Sequence, residues 1–250
     1  MGQNALTGKY DKVWQQMKAA KLPRNLSLSM LVAAQQVECL GMQGMTCIEF
    51  GVATGTGLRR ISNIANFIQR HTGVKMKIYG FDLKTGLPNP QGAVDHPEIW
   101  ANGQFKMHNF EQLQKELPGN CQLIIGDIAQ TLKDFSPLSN YPIGFVSVDV
   151  DLYSSTHHCL GLFEDMSPTA FVPAVTMYFD DVENLVTMNS ACGEALAIEE
   201  FNSRNYRRIV IDQNPILRGK FHTCHLLEHP ARTGEADPVH RFEINWRAYT

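Results

Sequence analysis

Apolar residues recur along this chain with two alternating periods. Near the start, Tyr10, Val13, Trp14 and Met17 fall on one helical stripe, as do Met30, Leu31, Ala34 and Val37 running into Cys39-Leu40. The Leu22-Pro23 break between them predicts two amphipathic helices. Residues 1–44 are therefore expected to form a helical cap or lid, and residues 45–250 the main body of one domain. From about residue 45 to 211 strand-length and helix-length apolar segments alternate, which is the signature of an α/β sheet. The expected strands are Thr46–Phe50, Val74–Phe81, Gln122–Ile125, Ile143–Val148 and Ala174–Phe179. The expected helices are Leu58–Arg70, His108–Leu117, a short one ending near Phe135, Ser154–Met166 and Ser190–Arg204. Arg208–Ile211 and Lys220–Leu227, joined across Asn214-Pro215 and Gly219, predict an antiparallel pair at the sheet edge. His240–Trp246 reads as a strand or as an arm packing on a partner.

The stretch from Lys84 to Gln104 breaks this rhythm. It is rich in Gly, Pro, Asn, Asp and His, and it is longer than the usual connection of about 2–6 residues between strand and helix. Ligands in open parallel sheets bind beyond the carboxyl ends of the strands, so the residues at those ends carry the functional signal. They are acidic throughout. The first strand holds Glu49 and enters Gly51-Val-Ala-Thr-Gly55-Thr-Gly57; the second ends at Asp82, the third at Gly126-Asp127, the fourth at Asp149-Val-Asp151 and the fifth at Asp180-Asp181. A glycine-rich turn opening a helix also suits a dinucleotide phosphate. Here, however, an acid precedes the glycines, and Asp82 falls about thirty residues after Gly51 where the dinucleotide pattern places an acid about 20 residues on. A ligand with a ribose, a positive centre, an amino-acid end and no phosphates fits such an acid-ringed pocket, and S-adenosylmethionine is that ligand.

Composition narrows the class further. The chain has 250 residues and a formal net charge of −3, with a pI near 6.3. That balance lacks the basic surplus of a dedicated nucleic-acid binder. No apolar run reaches the roughly 20 residues of a membrane helix, and the first residues lack a signal-peptide pattern, so a cytoplasmic protein without membrane contacts is expected. The six cysteines contain no Cys-x-x-Cys pair and predict neither a zinc site nor a disulfide scaffold. A homo-oligomer is compatible with everything in the sequence.

Ile48-Glu49-Phe50-Gly51-Val52-Ala53-Thr54-Gly55 resembles the first motif of class I methyltransferases, with Ala53 at the usual middle glycine. Together with Gly80-Phe-Asp82, Gly86-Leu-Pro88, Gly126-Asp127, Asp149-Val-Asp151-Leu-Tyr-Ser-Ser-Thr156 and Asp180-Asp181, it resembles the macrocin O-methyltransferase family over roughly residues 45 to 205. The resemblance implies a Rossmann-like class I methyltransferase fold: a seven-stranded, mostly parallel sheet with one antiparallel edge strand and helices on both faces. It implies a metal-dependent O-methyltransferase that moves the methyl of S-adenosylmethionine to a hydroxyl of a small molecule, a natural-product sugar first, with Mg2+ as the metal. Cofactor binding would fall to Glu49, Gly51, Ala53, Thr54, Gly55, Asp82, Asp127 and Ile128, with Asp82 on the ribose hydroxyls and Asp127 on the adenine amino group. Asp149, Asp180 and Asp181 would hold the metal, and Asp149 and Asp151 would serve catalysis. His96, Trp100 and Tyr153 are the substrate candidates.

Plainer readings stand beside these. The glycine loop alone is often just a tight turn, Asp180-Asp181 and Asp127 are ordinary helix N-caps, and His157 and His158 read as packed or solvated residues, since at most one of them can face the site. A catechol-type methyltransferase is the nearest alternative, because the same acids suit any acceptor with two adjacent oxygens. An NAD-dependent oxidoreductase and a non-catalytic S-adenosylmethionine binder are more remote.

Overall fold

The computed structural model describes residues 3–137, 141–182, 189–212 and 220–243. Two helices open the chain, α1 (Gln3–Ala19) and α2 (Arg24–Cys39). Pro23 stands at the N-cap of α2 with φ −54° and ψ 118°, an extended setting that ends one helix and primes the next. The sheet then begins with β1 (Gly44–Phe50), followed by α3 (Thr56–Thr72), β2 (Lys75–Asp82), α4 (Phe110–Glu116), β3 (Cys121–Ile125) and α5 (Ile128–Thr131). It continues through β4 (Ile143–Val148), α6 (Tyr153–Asp165), β5 (Phe171–Phe179), α7 (Gly193–Arg204), β6 (Arg208–Asp212), β7 (Phe221–Leu226) and the short α8 (Pro230–Thr233).

These seven strands form one sheet in the order β3-β2-β1-β4-β5-β7-β6. β1 pairs in parallel with β2 and β4, and β7 runs antiparallel to both β5 and β6. The single antiparallel strand therefore lies one position in from the edge, and the outermost strand β6 shares the direction of the rest. β1 and β4 are buried at every residue, including the polar Thr46, Glu49 and Ser147, as central strands covered on both faces are. β5 extends three residues further toward its start than the sequence pattern suggests, through Pro173. Its register against β4 shifts between Ile143 and Phe145, which is where a residue without an N–H is tolerated in a ladder.

The N-terminal helices cover a sheet face, with Tyr10, Trp14 and Met17 of α1 and Leu28, Met30 and Leu31 of α2 all in the core. α2 lies across β5, β4 and β1, and its Gln36 donates from Nε2 to the Ala174 carbonyl of β5 at 2.7 Å. The C-terminal segment forms no strand over residues 240–243. It packs on α2 of its own chain: the His240 N–H donates to the Cys39 carbonyl at 3.0 Å, and Gln35 Nε2 donates to the Glu243 carbonyl at 2.8 Å. Residues 244–246 of the expected strand or arm, and the Asn214-Pro215 and Gly219 turn, lie outside the described residues. The helix after β3 is one turn long and stops at Thr131, short of Phe135. Among the described residues no helix is long and apolar enough to cross a membrane. All six cysteines are free thiols, five of them buried.

Candidate active site

The strand order reverses between β1 and β4, and the loops after these strands diverge there to leave a crevice. A cavity of about 620 Å³ fills it. One wall is the β1–α3 turn, from Gly51 to Thr54. This turn must pass directly beneath β4: a Cβ on Gly51, at φ +86°, would stand 1.7 Å from the Asp149 carbonyl oxygen. Only glycine fits that approach and that backbone angle. Gly51→Ala is therefore expected to destabilise the protein by more than about 3 kcal/mol, read as a fall in the midpoint of urea unfolding; an unchanged midpoint would refute the close packing of the two turns.

Asp82, at the end of β2, organises the same turn. Its Oδ2 accepts the Val52 and Ala53 N–H groups at 2.9 and 2.8 Å, and its Oδ1 accepts the Lys84 N–H at 2.5 Å. Two loops are thus tied to one carboxylate that also faces the cavity. Asp127 and Ile128 supply the adjoining wall. Asp127 is at once a lining residue and the N-cap of α5, accepting the Ala129 N–H at 2.8 Å, so capping the helix does not take it off the cavity wall.

Glu49 and Gly55 stand behind the wall rather than on it. Glu49 is buried against α3, where a Cβ on Gly57 would lie 2.0 Å from its Oε1, and its Oε2 has no hydrogen-bond partner. Burial, reinforced by Asp149 and Asp82, pushes the Glu49 carboxyl well above the usual carboxylate range. Gly55 admits Leu113 of α4, whose Cδ1 would sit 2.5 Å from an added Cβ. The turn is braced from outside by Arg59, which donates to the Thr54 carbonyl and pairs with Glu116.

The opposite end of the cavity is acidic. Asp149, Asp151, Asp180 and Asp181 all line it. Burial, then the charges of Asp180 and Asp181, raise Asp149 to about 7, although Lys220 offsets part of this. Burial, then the charges of Asp181 and Asp149 and a hydrogen bond with Asp181, raise Asp151 to about 8. Asp151 also holds φ at +62°, an uncommon setting for a residue with a side chain. Asp180 behaves differently. Burial pushes it up, but Lys220 Nζ at 2.8 Å and the Tyr178 hydroxyl at 2.5 Å outweigh that and hold it below its usual value. Among the described residues, no group of three or more His, Cys, Asp or Glu side chains is arranged to hold a metal ion. The donor chemistry nevertheless suits a hard divalent cation, since four carboxylates line this side and their mutual repulsion, which Lys220 relieves only at Asp180, is what a cation would relieve further.

Of the substrate candidates, Trp100 lines the cavity. Tyr153 does not: its hydroxyl donates to Glu200 of α7 at 2.6 Å, an α6–α7 contact. His96 is also off the wall, with Nδ1 on Glu98 at 2.8 Å. Of the two histidines read from the sequence as packed or solvated, one reaches the wall, and residues the sequence did not single out join it. His158, one turn beyond Ser154 on α6, faces the cavity whereas His157 does not, and Phe105 lies at the mouth beside Trp100. Glu194, wholly buried at the start of α7, accepts the Val150 N–H at 3.3 Å and the Asp181 N–H at 3.1 Å, fastening the two acidic strand ends to each other. Its only sequence signal was an acid in the first turn of a helix, which caps account for equally well.

No family model and no curated protein sequence matches the chain. Solved structures do. The fold is a Rossmann-like fold shared with methyltransferases of known structure. Among its structural neighbours is CalS11, a calicheamicin methyltransferase, at 19% identity with a TM-score of 0.58 over 89% of this chain and 91% of that one. Another is the O-methyltransferase NovP, at 15% identity with a TM-score of 0.52 over 80% of this chain and 79% of that one.

Proposed function

We propose that the chain is an S-adenosylmethionine-dependent O-methyltransferase acting on a hydroxyl of a small molecule, with a sugar of a natural product as the first acceptor class. One observation carries this reading: a single cavity joins the glycine turn, Asp82 and Asp127 at one end to four carboxylates at the other. The first end suits an adenosyl ligand. Asp82 would hold the ribose, Asp127 and Ile128 the adenine, and the Gly51–Thr54 backbone the methionine half, while Glu49 and Gly55 would act from behind by shaping the turn. The other end suits a neutral hydroxylated acceptor that must lose a proton.

The reaction is then one displacement. The acceptor oxygen attacks the methyl carbon, the carbon–sulfur bond breaks with its electron pair going to sulfur, and S-adenosylhomocysteine and a methyl ether result. Asp151, which lines the same acidic side of the cavity beside Asp149 and Asp181, takes the hydroxyl proton. Asp149, Asp180 and Asp181 would hold a magnesium ion, which when bound supplies Lewis acidity and orientation to the acceptor oxygens. The lining acids, the aromatic pair Trp100 and Phe105, and His158 would bound the acceptor.

Calorimetry with S-adenosylhomocysteine and with NAD, alongside product mass analysis using thymidine diphosphate-rhamnose and catechol as acceptors, tests the reading. Micromolar binding of the adenosyl ligand, no NAD binding and a mass gain of one methyl on either acceptor are expected. Binding of NAD alone, or of neither ligand, would overturn it.

A further inference from the structure

The segment between β2 and α4 is a strap with two fastened ends. At its base the limbs touch: Met107 N–H donates to the Lys84 carbonyl at 3.1 Å, Leu87 N–H to the Gln104 carbonyl at 2.8 Å, and Gly103 N–H to the Leu87 carbonyl at 2.9 Å. Its far end reaches α6, after β4. Because β1 separates β2 from β4 in the sheet, the strap crosses the end of β1, where the glycine turn and the cavity lie.

One side chain makes the far attachment. Asp95 has no solvent exposure. Its Oδ1 accepts the Ser154 N–H at 2.7 Å, and its Oδ2 accepts the Ser154 hydroxyl at 2.7 Å and the strap's own Gln91 N–H at 2.6 Å. Helix α6 has no side-chain cap from its own N-cap residue Leu152. Asp95 meets that need from a distant part of the chain, satisfying an N–H that a helix start would otherwise leave open. The strap presents Pro88 and Trp100 to the cavity between the two fastenings, and Leu87 and Phe105 from within its base. The Trp100 and Phe105 rings lie 5.9 Å apart, and Phe105 is 54% exposed at φ +58°. A bulky aromatic at positive φ persists only where its surroundings hold it.

We propose that Asp95 is a positioning residue that fixes the acceptor wall of the cavity, fastening the strap to α6 so that Trp100 and Phe105 present an apolar face to the ring of a sugar or aromatic acceptor. That the ligand at this wall is the acceptor rests on the methyltransferase reading; the latch itself rests on the Asp95–Ser154 contacts. The side-chain hydrogen bonds of Asp95 run to the strap and to the first turn of α6, so its loss releases the wall and leaves the Asp82 end in place.

The test compares Asp95→Asn, Ser154→Ala and Ser154→Thr with wild type in three measurements on folded protein: chymotrypsin cleavage after Trp100 and Phe105, tryptophan emission, and calorimetric affinity for S-adenosylhomocysteine. Asp95→Asn and Ser154→Ala should speed cleavage about tenfold and shift emission to the red, because the loss of a hydrogen bond to a charged group is worth at least that factor in the open population. The emission shift should vanish in a Trp100→Phe background, and Ser154→Thr, which keeps the hydroxyl, should restore wild-type cleavage. Affinity for S-adenosylhomocysteine should stay within about twofold throughout. Unchanged cleavage and emission, or affinity falling by the same factor as cleavage rises, would overturn the latch. Wild-type protein that fails to bind S-adenosylhomocysteine overturns the methyltransferase reading and with it the acceptor wall, whatever the cleavage rates.

Discussion

Asp82→Ala is expected to lower affinity for S-adenosylhomocysteine at least about 100-fold, and to destabilise the protein as well. The carboxylate accepts three backbone N–H groups, from Val52, Ala53 and Lys84. Hydrogen bonds to a charged group contribute about 1.5–3 kcal/mol each, so losing these three lowers folding stability, while losing the two bonds Asp82 would make to the ribose hydroxyls removes at least the roughly 2.7 kcal/mol that a 100-fold change in affinity represents. Both the glycine turn and the start of the strap lose their common anchor. Asp82→Asn sharpens the result: it keeps the shape but turns one acceptor into a donor facing N–H groups, and it should fall near the alanine variant. Calorimetry and urea unfolding measure both effects. An Asp82→Asn variant that binds like wild type would show that the charge and the loop bonds contribute nothing to the cofactor end.

The second large effect is on stability against pH. Asp149 and Asp151 ionise at 3.8 when unconstrained, but at about 7 and about 8 in the folded protein. Glu49 and Glu194 are raised as well, chiefly by burial. The folded state therefore keeps protons that the unfolded chain releases. By linkage, this stabilisation is complete below pH 3.8 and is lost as pH rises through 7 to 8. The depressed Asp180 contributes with the opposite sign, and it is a single group. The metal-free protein should thus melt about 5 °C or more lower at pH 8.5 than at pH 5.5, given that about 1 kcal/mol moves the midpoint of a chain of this size by 2–4 °C. Asp151→Asn should flatten the slope by removing one of the repelling charges. Millimolar magnesium should raise the melting temperature at pH 8.5 and do little at pH 5.5, because a cation and protons compete for the same oxygens. Scanning fluorimetry measures all of this. A melting temperature indifferent to magnesium at both pH values would remove metal ligation from the site.

The central strands were legible because apolar residues dominate them: β4 is Ile-Gly-Phe-Val-Ser-Val, and its ends were read to the residue. The start of β5 was read at Ala174, and only the ladder carries the strand back through Pro173 to Phe171, where the register slips. The antiparallel pair was visible as two short strands, but its insertion with β7 inward and β6 outward depends on pairing across the sheet, which no local pattern encodes. At the site, the acids at the strand ends were legible since position along a strand decides which end a residue occupies. What was not legible is direction. Tyr153 and Ser154 are neighbours, yet one turns to Glu200 and the other to Asp95. Asp95 looked like loop punctuation because its partner lies far away in sequence, and Glu194 was hidden in the same way.

The Lys220–Asp180 pair also bears on the order in which the molecule is completed. Lys220 directly precedes β7, and β7 pairs with β5 only after the strands β1 to β6 that precede it in sequence have been made. A nascent chain emerging in order can assemble β1 to β5, with the acidic crevice among them, while the edge of β5 is still bare and Asp180 has no ammonium beside it. The late hairpin then does two things in one docking step: it shields an edge that would otherwise recruit a strand from another chain, and it delivers the cation that settles the charge of the crevice. Assembly of the sheet and readiness of the site are, in this architecture, the same event.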